Sequence, residues 1–207
     1  AEKQRDGVSK KMQDFQGVVN RCQQGDLNAF DSLFNHYQHQ VYDLAVAIMG
    51  DELVAEDLVQ DTFLAVFQKI GGYRGESSFD TWLKAIVVNN CRMRLRKRRV
   101  RQVLSLEFLT ERRLHRLRRS ETGLSEQFDE RQRRENLWDM VDQLEDRIRL
   151  PMILRYRYGL PCGEIALILK KKRSTTYQLL NDGRRRLEKL HQQNLPNRAP
   201  LPENTGR

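Results

Sequence analysis

Helical periodicity in two adjacent stretches between residues 53 and 99 is the feature that most constrains the fold of this 207-residue chain. In the first stretch, apolar side chains recur every three or four residues, as they do on the buried face of an amphipathic helix. The members of this face are Val54, Leu58, Ala65, Val66 and Ile70. No segment of the sequence alternates apolar and polar residues as a half-buried strand does. The sequence therefore predicts an all-α fold.

A second helix is predicted to begin near Asp80, a residue type that caps helices, and to run beyond Arg96. The side chains expected to face a core are Trp82, Ile86 and Met93. The loop before this helix, residues 71–79, is rich in Gly and Ser and also carries aromatic residues. These aromatics and hydroxyls are expected to be exposed, which is unusual for a purely structural turn.

The outward sides of the two helices carry opposite charges. The first helix has an acidic face whose residues recur one turn apart along the helix. The face is composed of Glu56, Asp57, Gln60, Asp61 and Leu64. The second helix has a basic stripe at spacings of three and four, composed of Asn89, Arg92, Arg96 and Arg99. Acidic helix faces are commonly just solvated. A leucine among acids, however, is typical of a docking surface with an apolar anchor and a charged rim.

Two strings in this region, AEDLVQDTF at residues 55–63 and YRGESSFDTWL at residues 73–83, closely resemble the extracytoplasmic-function (ECF) sigma factors. These are small initiation factors of bacterial RNA polymerase, within the sigma-seventy family. The resemblance is specific, because two unusual strings occur in the right order and at the right separation. It implies that the acidic face docks on the clamp helices of the polymerase's largest subunit, and that the loop takes up a flipped base of the minus-ten promoter element.

The resemblance also implies which residues contact the minus-ten DNA. They are Tyr73, Arg74, Ser77, Ser78, Phe79, Trp82, Asn89, Arg92, Arg96 and Arg99. An unstacked base is held by stacking and by hydrogen bonds to its edges, which suits Tyr73, Ser77 and Ser78 best. Phe79 and Trp82 could equally form a small packed cluster.

Positive charge is concentrated after the second helix. The formal net charge is +9 with a pI near 9.7, which favours a polyanionic partner but by itself indicates only non-specific affinity. Residues 92–134 contain fifteen Arg or Lys against six Asp or Glu, so this span carries the whole excess. Within it, residues 120–130 are acidic and turn-prone, and predict a linker that either mimics nucleic acid in the polymerase channel or is a solvated tether. The basic block Arg112 to Arg119 has no firm explanation in the sequence.

The C-terminal part predicts a helix-turn-helix domain. A short helix over residues 161–169, a turn at residues 170–173 and a longer basic helix from Ser174 to about Leu190 follow the order of that motif. The resemblance implies that this domain contacts the minus-thirty-five element through Lys172, Arg173, Ser174, Thr175, Tyr177, Gln178, Leu179, Arg184 and Arg185. The family commonly has Lys and Arg where this chain has Tyr177 and Leu179, and a basic residue at Asp182. The base contacts that those Lys and Arg side chains make in the family are therefore not expected in this chain.

The predicted organisation has five parts. They are a disordered lead-in at residues 1–17, a core-polymerase and minus-ten-binding helical domain at 18–99, a flexible charged linker at 100–133, a helix-turn-helix domain at 134–192 and a disordered tail at 193–207. The resemblance covers residues 18–99 and 134–190, and is stronger in the first domain.

No pattern in the sequence supports catalysis, a metal site or a cofactor. The four histidines lack a paired nucleophile or ligand spacing, and the three cysteines are far apart, as expected of free thiols in a reducing cytoplasm. No apolar run is long enough to insert in a membrane, and the first residues lack a signal-peptide pattern.

The sequence thus predicts a cytoplasmic sigma factor, of the kind used in stress responses, that directs transcription initiation. The partners implied by the resemblance are core RNA polymerase (the clamp helices of the largest subunit and the flap of the second subunit), promoter DNA and an anti-sigma factor. The leading alternative is a stand-alone helix-turn-helix regulator. A nucleic-acid-packaging or RNA-binding protein is a third reading that rests on charge alone. The acidic face discriminates among them, because a free-standing DNA binder has no use for it.

Overall fold

The computed structural model describes residues 15–104 and 136–194, and every regular element among them is helical. The described residues fall into two compact units, of which one contains residues 15–104 and 166–170 and the other contains residues 136–165 and 171–194. The all-α, two-domain expectation is confirmed. The predicted lead-in up to residue 14, the linker from 105 to 133 with its basic and acidic blocks, and the tail from 195 lie outside the described residues.

The first unit is a helical bundle. Its elements are α1 at residues 15–23, α2 at Leu27–Met49, α3 at Glu52–Lys69, a short 3-10 helix at Ile70–Gly72, and α4 at Phe79–Leu104. Helices α2, α3 and α4 pack against one another around buried aliphatic side chains such as Leu33, Ile48, Leu58 and Val87. The bundle thus holds α3 and α4 side by side, and these are the two helices with charged outward faces.

Local sequence signals account for the ends of α2 and α3. The Asp26 carboxylate accepts hydrogen bonds from the N–H groups of Asn28 and Ala29, as predicted for a helix cap. Gly50 ends α2 in the left-handed conformation with φ of 66°, where glycine carries no Cβ penalty. Asp51 then caps α3 through the N–H of Val54. The apolar patterns of residues 30–37 and 41–49, which looked like two helices, belong to the single helix α2.

Three expectations about the first unit are wrong in detail. Helix α4 begins at Phe79, and the cap is Ser78, whose hydroxyl accepts from the N–H of Thr81; Asp80 lies in the first turn. Met93 does not face the core but is 53% exposed, because its position turns away from α2 and α3. Residues 15–17 and 100–104 are helical, so the predicted lead-in does not extend to residue 17 and the predicted linker does not begin at residue 100.

The C-terminal part of the described chain, residues 136–194, contains the predicted helix-turn-helix. Its helices are α5 at residues 136–142, α6 at Asp146–Tyr156, α7 at Cys162–Leu169 and α8 at Arg173–Asn194. Pro151 lies inside α6, and the left-handed Gly159 lies beyond the helix end. In the turn before α8, Lys170 has a φ of 52°. Helix α8 begins at Arg173, so Ser174 is within its first turn, and it continues past Leu190 into the predicted tail.

Close packing between α6 and α8 explains the glycine in the middle of α8. A Cβ at Gly183 would lie 2.5 Å from Sδ and 2.8 Å from Cγ of Met152, and 3.2 Å from Cγ2 of Ile148. Thr176 and Leu180 are buried on the same side of the helix, as the periodicity predicted. Because this side of α8 is committed to the core, only its opposite side is available to a ligand.

The free cysteines are Cys22 and Cys91, both buried, and the half-buried Cys162. Burial raises the pKa of the Cys22 thiol. Within residues 15–104 and 136–194, no helix combines the length and apolar character needed to cross a membrane.

Candidate functional site

The acidic face is exposed on α3. Glu56, Asp57, Gln60 and Asp61 all point to solvent, and Leu64 is 62% exposed among them. The opposite side of α3 buries Ala55, Leu58, Phe63 and Val66 in the bundle. The periodicity that predicted this division is therefore confirmed, and the leucine is a large apolar group that the isolated chain leaves in water.

Two further apolar side chains extend the acidic face, and sequence reasoning missed both. Leu53 is 76% exposed at the start of α3, and Phe67 is 53% exposed near its end. With Asp57, Gln60 and Leu64 they follow spacings of four, three, four and three along the helix, so they share one stripe. The Phe67 ring packs edge-on against Phe30 of α2, with centroids 5.2 Å apart. The spacing alone could have identified Leu53 and Phe67 as members.

A guanidinium from α4 reaches the acidic face. Arg94 lies 3.3 Å from a carboxylate oxygen of Asp57 and 3.6 Å from one of Asp61. One turn earlier on α4, the Asn90 amide donates to the hydroxyl of the buried Thr62. These contacts join the acidic helix to the basic helix. Arg94 was not identified from the sequence, because nothing in the pattern indicates that α3 and α4 lie antiparallel with these residues opposite one another.

The loop aromatics are packed, contrary to the expectation for Tyr73 and in agreement with the alternative of a packed cluster for Phe79 and Trp82. Tyr73 and Phe79 are buried, and Trp82 is half-buried. Their rings form one cluster with Tyr37 of α2, in which neighbouring centroids are 5.3 to 5.6 Å apart. Burial raises the pKa of the Tyr37 hydroxyl to about 12, and it also raises the pKa of Tyr73. In this structure the ring of Tyr73 supports the loop from beneath.

The outer side of the loop carries the groups that remain accessible. Arg74, Glu76 and Ser78 are exposed and Ser77 is half-buried, around a left-handed turn at Gly75. The Tyr73 hydroxyl donates to the carbonyl of Ser77 at 2.7 Å. The Ser78 hydroxyl lies 2.9 Å from that of Thr81. The loop therefore brings backbone and hydroxyl groups together over a fixed aromatic base.

Gln23 of α1 also holds this loop, a contact that was not predicted from the sequence. Its amide donates to the carbonyls of Ile70 and Tyr73, at 3.0 and 2.8 Å. The contact spans about fifty residues of sequence, so no local pattern could have indicated it.

The basic stripe lies on the exposed side of α4, where all four of its members are accessible to solvent. Lys97 is exposed beside them, and Met93 lies within the same surface with its sulfur 3.9 Å from the Asn89 amide. Cations at helical spacing suit contact with successive phosphates of a duplex.

On α8, the side away from the core presents the predicted minus-thirty-five residues. The exposed members are Lys172, Arg173, Ser174, Tyr177, Gln178, Arg184 and Arg185, whereas Thr175 and Leu179 are half-buried. The Arg184 side chain donates to the Tyr156 hydroxyl at 2.7 Å. Arg186 pairs with Glu145 at 3.1 Å and lowers the pKa of that carboxyl. Asp182 is exposed on this side, and no ion pair joins it to another described residue.

No group of three or more His, Cys, Asp or Glu side chains comes together as a metal site in the part of the chain that the structure describes. The candidate site is accordingly a set of binding surfaces. The class of protein defined by the first unit is a helical bundle that carries an acidic, leucine-anchored face and a basic helix on adjacent elements.

Residues 33–101 match the family described as Sigma-70 region 2. This stretch contains most of α2, all of α3, the loop and most of α4. It includes the acidic face, the loop and the basic stripe.

Two curated relatives each match a part of the chain. The RNA polymerase sigma-H factor of Pseudomonas aeruginosa is 39% identical over 80 residues, which cover 39% of this chain and 42% of that protein. The ECF RNA polymerase sigma-E factor of Haemophilus influenzae is 39% identical over 77 residues, which cover 37% of this chain and 40% of that protein. The chain thus spans about two fifths of the length of these curated relatives.

A solved structure resembles a larger share of the chain. The sigma factor RpoE of Bartonella quintana, in a co-crystal structure with the anti-sigma factor NepR, has a TM-score of 0.56 and is 20% identical. The similarity covers 79% of this chain and 96% of that one. At this level of identity the likeness concerns the fold alone.

Proposed function

We propose that this protein is a sigma factor that binds core RNA polymerase and directs promoter recognition and opening in transcription initiation. The observation that carries the proposal is that a region-2 bundle presents an exposed leucine among acids on α3 and a row of cations on the adjacent α4. A protein that only binds DNA gains nothing from the first surface. The proposed activity is binding, with no catalytic step, and its location is the cytoplasm, where the polymerase is.

The acidic face is the proposed docking surface for the clamp helices of the largest polymerase subunit. Leu64 is the central anchor, and Asp57 and Asp61 form part of the charged rim. Burying exposed apolar side chains stabilises a complex by roughly 25 cal/mol per Å² removed from water, while the acids exclude partners without complementary charge. With Leu53 and Phe67 the stripe extends over five positions of α3, three of them apolar, as an extended helical partner would need.

The loop between the 3-10 helix and α4 is the proposed site for a base extruded from the minus-ten element. Ser77, Ser78 and Arg74 line its accessible side and can donate to the edges of a base. Capturing the base offsets the few kcal/mol that unstacking costs. The packed Tyr73, Phe79 and Trp82 support this surface, and Trp82 retains partial exposure with which to meet the DNA.

The basic stripe of α4 is proposed to hold the duplex next to the melted region. Its arginines contact phosphates, which supply affinity without reading sequence, whereas Asn89 can pair with the edge of a base. Helix α8 is proposed to enter the major groove at the minus-thirty-five element, and the second unit to contact the flap of the second polymerase subunit. Because Tyr177, Leu179 and Asp182 replace cations, discrimination at this element is expected to be weak or A·T-leaning, with Gln178 suited to adenine.

An anti-sigma factor is a further proposed partner. The support for it is the fold shared with the Bartonella quintana sigma factor, which was solved with an anti-sigma factor bound. A stand-alone helix-turn-helix regulator, the alternative to a sigma factor, has no need of the acidic face and is not favoured.

The proposed function is tested by incubating the purified protein with purified core RNA polymerase. We expect the two to co-elute in gel filtration, and the complex to produce discrete transcripts from a pool of genomic fragments on which core polymerase alone produces none. DNA binding without co-elution would favour the regulator, and binding of any RNA or DNA with equal affinity would favour a packaging protein.

Replacing Asp182 by Arg is expected to tighten binding to duplex DNA several-fold and to steepen its salt dependence by about one to two log–log units. The change removes a carboxylate that faces the phosphates and adds a cation. Fluorescence anisotropy with a labelled duplex at several salt concentrations measures both effects. Glu188→Arg is the control, because it makes the same charge change at another exposed position of α8. Equal gains in the two variants, or a loss with Asp182→Arg, would contradict the proposed orientation of the helix.

A further inference from the structure

The first turn of the loop that we assign to base capture is held by a side chain from a distant helix. Gln23 of α1 donates one amide hydrogen bond to the Ile70 carbonyl at 3.0 Å and another to the Tyr73 carbonyl at 2.8 Å. The N–H of Tyr73 in turn donates to the Ile70 carbonyl. A primary amide has two N–H donors, and the two bonds use both of them. Gln23 thus closes the turn from which the loop departs.

The remainder of the loop is held by its own groups. The Tyr73 hydroxyl donates to the Ser77 carbonyl across the left-handed turn at Gly75, and the hydroxyl of Ser78 caps α4. The loop is therefore fixed at its start by α1, in its middle by the buried phenol, and at its end by the helix it precedes. Of these hydrogen bonds, only those at the start come from a residue outside residues 70–81.

A merely structural role for Gln23, that of attaching α1 to the bundle, fits the structure less well. The neighbouring Cys22 and the preceding turn's Val19 are buried and supply the apolar contacts of α1. Gln23 itself is exposed, and both of its amide hydrogen bonds are made to carbonyl groups of the loop. Removing its amide leaves the packed side of α1 unchanged.

Restraint of a loop matters for base capture because ordering it after DNA arrives would reduce affinity. Fixing a residue's backbone costs roughly 1–2 kcal/mol, and a loop already held in its binding conformation has met that cost during folding. We propose that Gln23 is a positioning residue for base capture, which acts by holding the carbonyls of Ile70 and Tyr73. This inference rests on the proposed function and adds to it a residue outside the matched region.

The test uses Gln23→Leu, which keeps the approximate size and the helix propensity of the side chain but cannot donate. The matched control is Gln24→Leu, the same change at the adjacent exposed residue. The first readout does not depend on function and is amide hydrogen exchange of residues 73–78 in the free protein. We expect faster exchange in Gln23→Leu than in Gln24→Leu, with the exchange of α2 unchanged in both.

The second readout is binding of holoenzyme to single-stranded minus-ten oligonucleotides, either intact or abasic at the captured position. We expect Gln23→Leu to weaken binding to the intact strand about tenfold, the loss anticipated for two neutral hydrogen bonds, and to leave binding to the abasic strand unchanged. A general structural defect would weaken both strands alike. Affinity for core polymerase is expected to match that of the wild type.

Equal exchange of the loop in the two variants, or equal losses on the intact and abasic strands, would overturn the inference. If Gln23→Leu fails to fold, Gln23→Glu gives the same test. The carboxylate that replaces the amide cannot donate a hydrogen bond, and it is repelled by the two carbonyl oxygens that the amide bound. Failure of the proposed function is recognised separately, because wild-type protein would then neither bind core polymerase nor distinguish the strands. The exchange readout would still decide whether Gln23 holds the loop.

Discussion

Reversing the charge of Asp57 and Asp61 together, as Asp57→Arg with Asp61→Arg, is expected to abolish detectable binding to core RNA polymerase. Both carboxylates lie beside the exposed Leu64, and each reversal sets a cation against a basic partner at a cost of several kcal/mol. Two such changes weaken binding by more than about a hundredfold. Co-elution and fluorescence titration with core polymerase measure the loss.

The fold is expected to survive this double reversal. The only ion pairs that either carboxylate makes among the described residues are those with Arg94, and the two carboxylates are 65% and 57% exposed in these pairs. Exposed pairs of this kind contribute up to about 1 kcal/mol, so the circular dichroism spectrum and the melting temperature should change little.

Two control variants separate the acidic face from other effects of charge. Asp31→Arg, at an exposed position of α2, makes the same change as Asp61→Arg outside the acidic face. Arg94→Gln removes the ion pairs but leaves both acids in place, and is expected to bind core polymerase at least as well as the wild type. If the double reversal leaves co-elution unchanged, or if Asp31→Arg is equally damaging, α3 is not the docking helix.

Replacing Gly183 by Leu is expected to lower the free energy of unfolding of the second unit by about 3 kcal/mol. Even a Cβ at this position would lie 2.5 Å from Met152 Sδ, and Met152 and Ile148 are themselves fully buried in α6. A leucine must force α8 away from α6. The gain of about 1 kcal/mol in helix propensity over glycine offsets only part of that strain.

Urea unfolding followed by the fluorescence of Trp138, in a Trp82→Phe background, isolates the second unit. The control is Gly163→Leu in α7, where a Cβ would meet no atom within 4 Å. Combining Gly183→Leu with Met152→Ala should recover part of the loss, which would identify the contact by a double-mutant cycle. A variant as stable as the wild type would mean that α6 and α8 do not approach so closely.

Much of the local architecture was predictable because it depends on neighbours in the sequence. Asp26 and Gly50 bound α2 through hydrogen bonds and backbone conformations that involve only adjacent residues, and both were recognisable from residue type. The division of α3 into a buried side and an acidic face follows from helical periodicity. The same reasoning identified the helix-turn-helix and the buried side of α8, including the position of Gly183.

The errors at helix ends have an equally local cause. Ser78 and Asp80 are both good capping residues two positions apart, and sequence preference does not choose between them. The buried Phe79 favours the earlier cap, since its ring packs against Tyr37 and Tyr73 and α4 then begins two residues earlier than a cap at Asp80 would give.

Contacts between side chains on different helices were decided only by the tertiary structure. Tyr73 was expected to offer its ring to a base, but the bundle supplies Tyr37 and Trp82 as neighbours, and burying an aromatic surface is more favourable than leaving it in water. Arg94 meets Asp57 and Asp61 only because α3 and α4 lie side by side, and Gln23 meets the loop only because α1 packs next to it. The sequence by itself determined which helices form and which of their sides are polar. The partners of each side chain across the bundle depend on the packing of whole helices, which no local pattern encodes.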